Sequence, residues 1–190
     1  MRILVSGPPS VGKTRQGGNL ARTLGIPHVS SGDLIREAAS AGDPVARRLL
    51  GIVADWSLAP SDAIARIVLD RLAEPDCRSG FVLDGFPRRV PEAEILLDHH
   101  GIDAIFVLEA RFEVLLERLR YRASQGRVDD DPRALPRRIQ AFENDTRLAH
   151  AVLEDAGVPL HRVDAEGGVD HISRVIMDAL PVAAAAPCFC

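Results

Sequence analysis

Gly7-Pro8-Pro9-Ser10-Val11-Gly12-Lys13-Thr14 is the stretch that decides how this chain folds. Before it runs Arg2-Ile3-Leu4-Val5-Ser6, apolar and β-branched, which reads as a short buried strand. After it a helical pattern continues from Gly12 to about Leu24, where Gly25 and Pro27 stop it. The spacing G-x-x-x-x-G-K-[ST] between a strand and a helix has a physical meaning. Glycines let the backbone curl until successive N–H groups point inward at phosphate oxygens, and the following helix adds its positive end. On this reading the backbone from Gly7 to Gly12 cradles phosphates, Lys13 reaches the outer phosphates, and the Thr14 hydroxyl approaches Mg²⁺.

Outward from the loop, strands and helices alternate. Short strands are predicted at 28–30, 81–84, 104–108 and 160–163. Helices are predicted at 33–40, 44–54, 61–73, 91–100, 112–123, 132–156 and 169–180, with Ser31 or Asp33 capping the first of these. Alternation of this kind implies an α/β domain with a parallel sheet covered on both faces. Two interruptions, at about 30–60 and 122–132, fall at the ends of strands or helices, where open α/β sheets bind ligands. The alanine-rich tail from Pro181 is expected to be disordered.

At 190 residues the chain suits one α/β domain rather than two. Its net charge of −4 gives no reason to expect nucleic-acid binding, which needs a basic face. The basic residues are almost all arginine, and Lys13, inside the glycine-rich loop, is the single lysine. Cys77, Cys188 and Cys190 show no zinc spacing, and with no apolar run long enough for a membrane span the chain reads as reduced and cytoplasmic.

Three ordered blocks narrow the field: Gly7-Pro8-Pro9-x-x-Gly12-Lys13, then Ser31-Gly32-Asp33-Leu34-Ile35-Arg36, then Asp84-Gly85-Phe86-Pro87-Arg88. Together they resemble the adenylate kinase family, collinearly from residue 1 to about 180, and the D-G-F-P-R block is the most specific of them. The resemblance implies a P-loop NTPase-type three-layer fold around a five-stranded parallel sheet. It implies one kinase domain over 1–180, with core 1–29, 60–121 and 133–180. A monophosphate-binding insertion would occupy 30–59 and a lid of the short, zinc-free type 122–132, leaving 181–190 as tail. It further implies a monomer that transfers the γ-phosphoryl group of Mg·ATP to a nucleoside monophosphate.

Carried over by position, the resemblance puts Lys13 and the loop on the donor phosphates and Asp84 on Mg²⁺ through water. It puts Ser31, Gly32, Arg36 and Arg88 on the acceptor phosphate, with Val53 and Leu58 as an apolar wall for the base and Gly85 leaving it room. Arg118 would lie against the ATP adenine. Arg122, Arg127 and Arg138 would converge on the transferring group, with Asp129 and Asp130 ordering the closed lid. The chemistry suits that cast, because phosphoryl transfer needs two anions held in line and charge on the transferring oxygens stabilised. Arginine's planar fork binds phosphate bidentately, which lysine cannot do.

The chain departs from the family pattern at three places. Thr14-Arg15 follow Lys13 where Gly-Thr is usual, and Ser10 replaces a glycine, so the loop must turn with a Cβ there. Glu92 stands where members carry glutamine. A glutamine amide can pair with both adenine N1 and N6, whereas an ionised glutamate only accepts. AMP is the family's acceptor; Glu92 leaves open GMP, CMP/UMP or a nucleotide analogue, and equally a side chain turned to solvent or held protonated. A nucleotide-binding protein without catalysis is the alternative from another class.

Overall fold

Five parallel strands form the frame: β1 (Arg2–Ser6), β2 (His28–Ser30), β3 (Phe81–Asp84), β4 (Ala104–Glu109) and β5 (Leu160–Asp164), in the order β2-β3-β1-β4-β5. The computed structural model describes residues 1–55, 61–125 and 131–180, and of 52–55 the backbone only. Leu58, Arg127, Asp129, Asp130, the 181–190 tail and the Val53 side chain lie outside the described residues.

The inner strands are apolar on both sides because both faces are covered, as parallel sheets require. Along β1 the side chains alternate between two cores. Leu4 joins Val29, Leu83, Ile105 and Val107 on one face, while Ile3 and Val5 join Val82, Phe106 and Leu108 on the other. The first core is closed by α4 (Ser61–Leu72), α5 (Val90–His99) and α8 (Arg147–Asp155); α1 (Lys13–Leu24), α6 (Phe112–Ser124) and α9 (Val169–Asp178) close the second. β1 sits mid-sheet between β3 and β4, so the loop that follows it opens at the centre of the sheet's C-terminal edge. Among the described residues no helix is long and apolar enough to cross a membrane.

Three elements differ from the sequence expectation. The helix expected from residue 33 begins at Ser31 as α2 (Ser31–Ser40), and neither Ser31 nor Asp33 caps it: the cap position is Ser30, with no side-chain hydrogen bond. Asp33 instead pairs with Arg36 at 2.6 Å. The long helix expected over 132–156 is segmented. A 3-10 turn (Pro132–Ala134), capped by the Asp131 side chain on the Arg133 N–H, leads into α7 (Leu135–Ala141) and a π turn (Phe142–Thr146) before α8. A π turn widens the helix by one residue, and it is a common feature of functional sites; here Phe142 and Thr146 line the central cavity. A 3-10 turn (Pro75–Ser79) before β3 was not expected; it is fixed by Arg71, which chelates Asp76 at 2.7 and 2.9 Å. α3 (Pro44–Asp55) follows expectation.

One core histidine makes stability sensitive to pH. His150 is 4% exposed, its Nε2 lies 2.8 Å from the Ser6 hydroxyl, and its ring meets Phe142 edge-on. Burial, then the positive charges of Arg162 and Arg147, push its pKa down from 6.5 to about 4. The unfolded chain therefore takes up this proton first as pH falls. The stability contributed by neutral His150 is complete above pH 6.5 and is lost between there and pH 4. Linkage makes the loss about 2 kcal/mol between pH 7 and pH 5. Urea denaturation at those two pH values is expected to show it, and His150→Gln is expected to remove most of the difference.

Candidate active site

The loop after β1 is shaped by its neighbours. Gly7 has φ +143°, and a Cβ there would sit 2.5 Å from the Leu108 carbonyl oxygen of β4. Ser10 does what its place in the loop demands, adopting a left-handed φ of 65° at a cost of about 1 kcal/mol that a glycine would avoid. Its hydroxyl lies 3.4 Å from Nη1 of Arg122 on α6. Lys13 folds back over the loop and donates to the Gly7 and Pro8 carbonyls at 2.9 and 2.8 Å. The Thr14 hydroxyl donates to Asp84 Oδ2 at 2.7 Å, joining the start of α1 to the end of β3.

A second wall comes from α2 and the turn between β3 and α5. Gly85 has φ +81°, and a Cβ there would lie 2.7 Å from the Ser31 hydroxyl, so glycine is what lets the two segments meet. Arg88 Nε donates to the Gly85 carbonyl at 2.8 Å, and the Arg88 backbone N–H donates to Glu92 Oε2 at 2.7 Å. Glu92 is 1% exposed, so it is not turned to solvent.

These walls enclose one cavity. Lys13, Arg36, Arg88, Arg122 and Arg138 line it, with Asp84 as the one carboxylate among the described lining residues. Ile35, Leu50 and Phe142 supply apolar surface, and Ser6, Ser30 and Thr146 further hydroxyls. Five cations against one anion, in a chain whose net charge is −4, is a strong local bias. Its electrostatic cost shows at Lys13. Loss of solvent around the amine drives its pKa down to about 7; Asp84 opposes this, while Arg88, Arg138 and Arg122 add to it. Burial likewise lowers Arg88, offset by Glu92 and Asp84. A polyanion entering the cavity would relieve both.

On the other side of the loop lies a second cleft, between α6 and the start of α9. Arg118, Tyr121 and Val169 line it together with Val11, Gly12 and Arg15. The Arg118 guanidinium spans its floor, donating to the Val11 carbonyl at 3.0 Å and the Ala165 carbonyl at 2.8 Å. The two clefts share Ser10, Lys13, Thr14 and Arg122, so an extended ligand could run from one to the other across the loop.

The adenylate kinase family model matches residues 5–155. Curated relatives named adenylate kinase are 36% identical over 186 residues, covering 95% of this chain and 99% of the relative, in Xanthomonas euvesicatoria pv. vesicatoria and Xanthomonas axonopodis pv. citri. One from Xylella fastidiosa is 35% identical over the same coverage. This chain belongs to the adenylate kinase family. It is a phosphotransferase, a nucleoside-monophosphate kinase.

For an adenylate kinase family member, the structure brings together many of the sequence-predicted residues, while Pro8, Ser31 and Glu92 line neither cleft. Gly7, Pro9 and Ser10 of the loop meet Lys13, Thr14, Gly32, Arg36, Asp84, Gly85, Arg88, Arg122 and Arg138 at the cavity, and Val11, Gly12 and Arg118 stand in the adjoining cleft. Leu50, Phe142, Thr146 and Tyr121 also line these clefts, and sequence reading missed them. An apolar residue on a predicted helix carries no mark of a ligand, and Phe142 and Thr146 reach the cavity through a π turn that periodicity does not reveal.

Proposed function

We propose that the cavity and its neighbouring cleft bind AMP and Mg·ATP end to end, and that the chain catalyses ATP + AMP ⇌ 2 ADP. The observation that carries this reading is the gathering of Lys13, Arg36, Arg88, Arg122 and Arg138 around Asp84, at the mouth of a phosphate loop that opens toward two clefts. ATP would lie with its base beside Arg118 and Tyr121 and its phosphates on the loop amides and Lys13. AMP would place its phosphate on Arg88 and Arg36, with its base against Ile35 and Leu50.

An acceptor phosphate oxygen then attacks the γ-phosphorus in line. The bond to the β–γ bridging oxygen breaks and its electrons leave with ADP, while the new P–O bond makes the second ADP. Arg122 and Arg138 would oppose the charge on the equatorial oxygens during transfer, and Lys13 would follow the γ-phosphate. None of these side chains moves a proton; they neutralise, orient and exclude water.

Thr14 Oγ1 and Asp84 Oδ2, 2.7 Å apart beside the loop, are hard oxygen donors of the kind Mg²⁺ prefers. Bound with ATP, the ion supplies charge neutralisation on the outer phosphates. Asp84→Asn is expected to raise the Mg²⁺ concentration for half-maximal rate by about 10–100-fold, as for other residues that hold a metal through water. A Mg²⁺ titration at fixed ATP checks it.

The acceptor is tested by ADP formation from Mg·ATP with AMP, GMP, CMP and UMP in turn. AMP is expected to give the highest kcat/KM. Turnover with another monophosphate and none with AMP would replace this reading by one of a different acceptor.

A further inference from the structure

Glu92 is a buried carboxylate that the transfer chemistry leaves without a role. It is the third residue of α5, directly after the turn that carries Arg88. Its Oε2 takes the Arg88 backbone N–H at 2.7 Å, and Arg88 Nε in turn donates to the Gly85 carbonyl at 2.8 Å. The two bonds close the segment 85–92 on itself from both ends of Arg88. Glu92 is also the leading negative charge acting on the Arg88 guanidinium, ahead of Asp84.

The backbone bond alone does not require a glutamate. A glutamine oxygen at the same place would accept the Arg88 N–H equally well. What the carboxylate adds is charge, and a buried carboxylate is kept only where a cation compensates it. We propose that Glu92 is a positioning residue for Arg88: it holds the Arg88 backbone in the turn from which the guanidinium extends and tempers the charge that Arg88 presents to the acceptor phosphate, and it does not read the acceptor base. This rests on the reading of Arg88 as an acceptor-phosphate ligand. The device is a compromise, since full charge at Arg88 would hold both the monophosphate and its diphosphate product more tightly.

Glu92→Gln separates the two duties, because it keeps the hydrogen-bond acceptor and removes the charge. The probes are AMP, measured by its KM, and ribose 5-phosphate, which has the phosphate without the base, measured by competitive inhibition. With one negative charge removed beside the phosphate site, both constants are expected to fall by about three- to tenfold and by the same factor. The KM for ATP should stay put, and the salt dependence of the AMP constant should steepen. In an Arg88→Met background the Glu92→Gln effect should shrink to the small part that the carboxylate exerts on the phosphate directly.

A gain for AMP with none for ribose 5-phosphate would overturn the proposal in favour of base reading. Persistence of the full effect in the Arg88→Met background would overturn it in favour of an action of Glu92 that does not pass through Arg88. Should Arg88→Met alone leave the AMP constant unchanged, the assignment of Arg88 itself fails, and the proposal with it. Thermal unfolding of each variant confirms that folded protein is compared.

Discussion

Arg138→Ala is expected to lower kcat by about 10³-fold or more, the scale on which a charge-stabilising arginine acts in phosphoryl transfer. Arg138 stands on α7 and lines the cavity, and its field reaches the Lys13 amine. In the proposed binding mode, the ground-state phosphates of bound ATP and AMP would already be neutralised by Lys13, Arg36, Arg88 and the metal. The contribution of Arg138 then grows only as charge spreads onto the equatorial oxygens. For that reason the loss is expected in kcat, with either KM changed only a few-fold. Arg138→Lys is expected to recover little, because an ammonium cannot grip two oxygens at once. Steady-state kinetics on the two variants, with both substrates varied, measures the split.

Arg88→Met is expected to show the opposite division. The methionine retains apolar bulk, so the turn between β3 and α5 stays packed, but the charge-assisted hydrogen bonds to the acceptor are gone. Two such bonds at about 1.5–3 kcal/mol each correspond to roughly 10²-fold or more in kcat/KM for AMP. The KM for ATP should hold, since in the proposed binding mode the donor phosphates would rest on the loop. Stability is expected to fall by about 1–3 kcal/mol as well, because Glu92 loses its compensating charge while buried. Methionine is the better probe than alanine here, and calorimetric melts in the absence of nucleotide separate the stability effect from the kinetic one.

Much of this site could be read from residue types and spacing. The phosphate loop declared itself because only a strand-loop-helix with glycines at those positions presents its amides inward, and Lys13 is the single lysine in the chain. Asp84 and Arg88 were legible because the Asp84-Gly85-Phe86-Pro87-Arg88 block resembles the adenylate kinase family, and Asp84 also as an acid at a strand end beside the phosphate loop. The sheet followed from the alternation of elements. Other features depend on three-dimensional neighbours that no local pattern encodes. The bond between His150 and Ser6 joins residues 144 apart in sequence, and nothing near either one announces the other. Glu92 showed its chemical oddity in the sequence, but the atom it touches, the Arg88 N–H, is visible only once α5 is seen to begin at Val90.

A cavity that passes a phosphoryl group from ATP to AMP converts the two nucleotides one for one. Phosphorus NMR of a mixture of ATP, AMP, Mg²⁺ and the protein tests it in one sample. The ATP and AMP signals are expected to fall together, with ADP rising by two for each ATP consumed and inorganic phosphate staying at background. Release of inorganic phosphate with AMP unchanged, or no change at all in a folded sample, would contradict it.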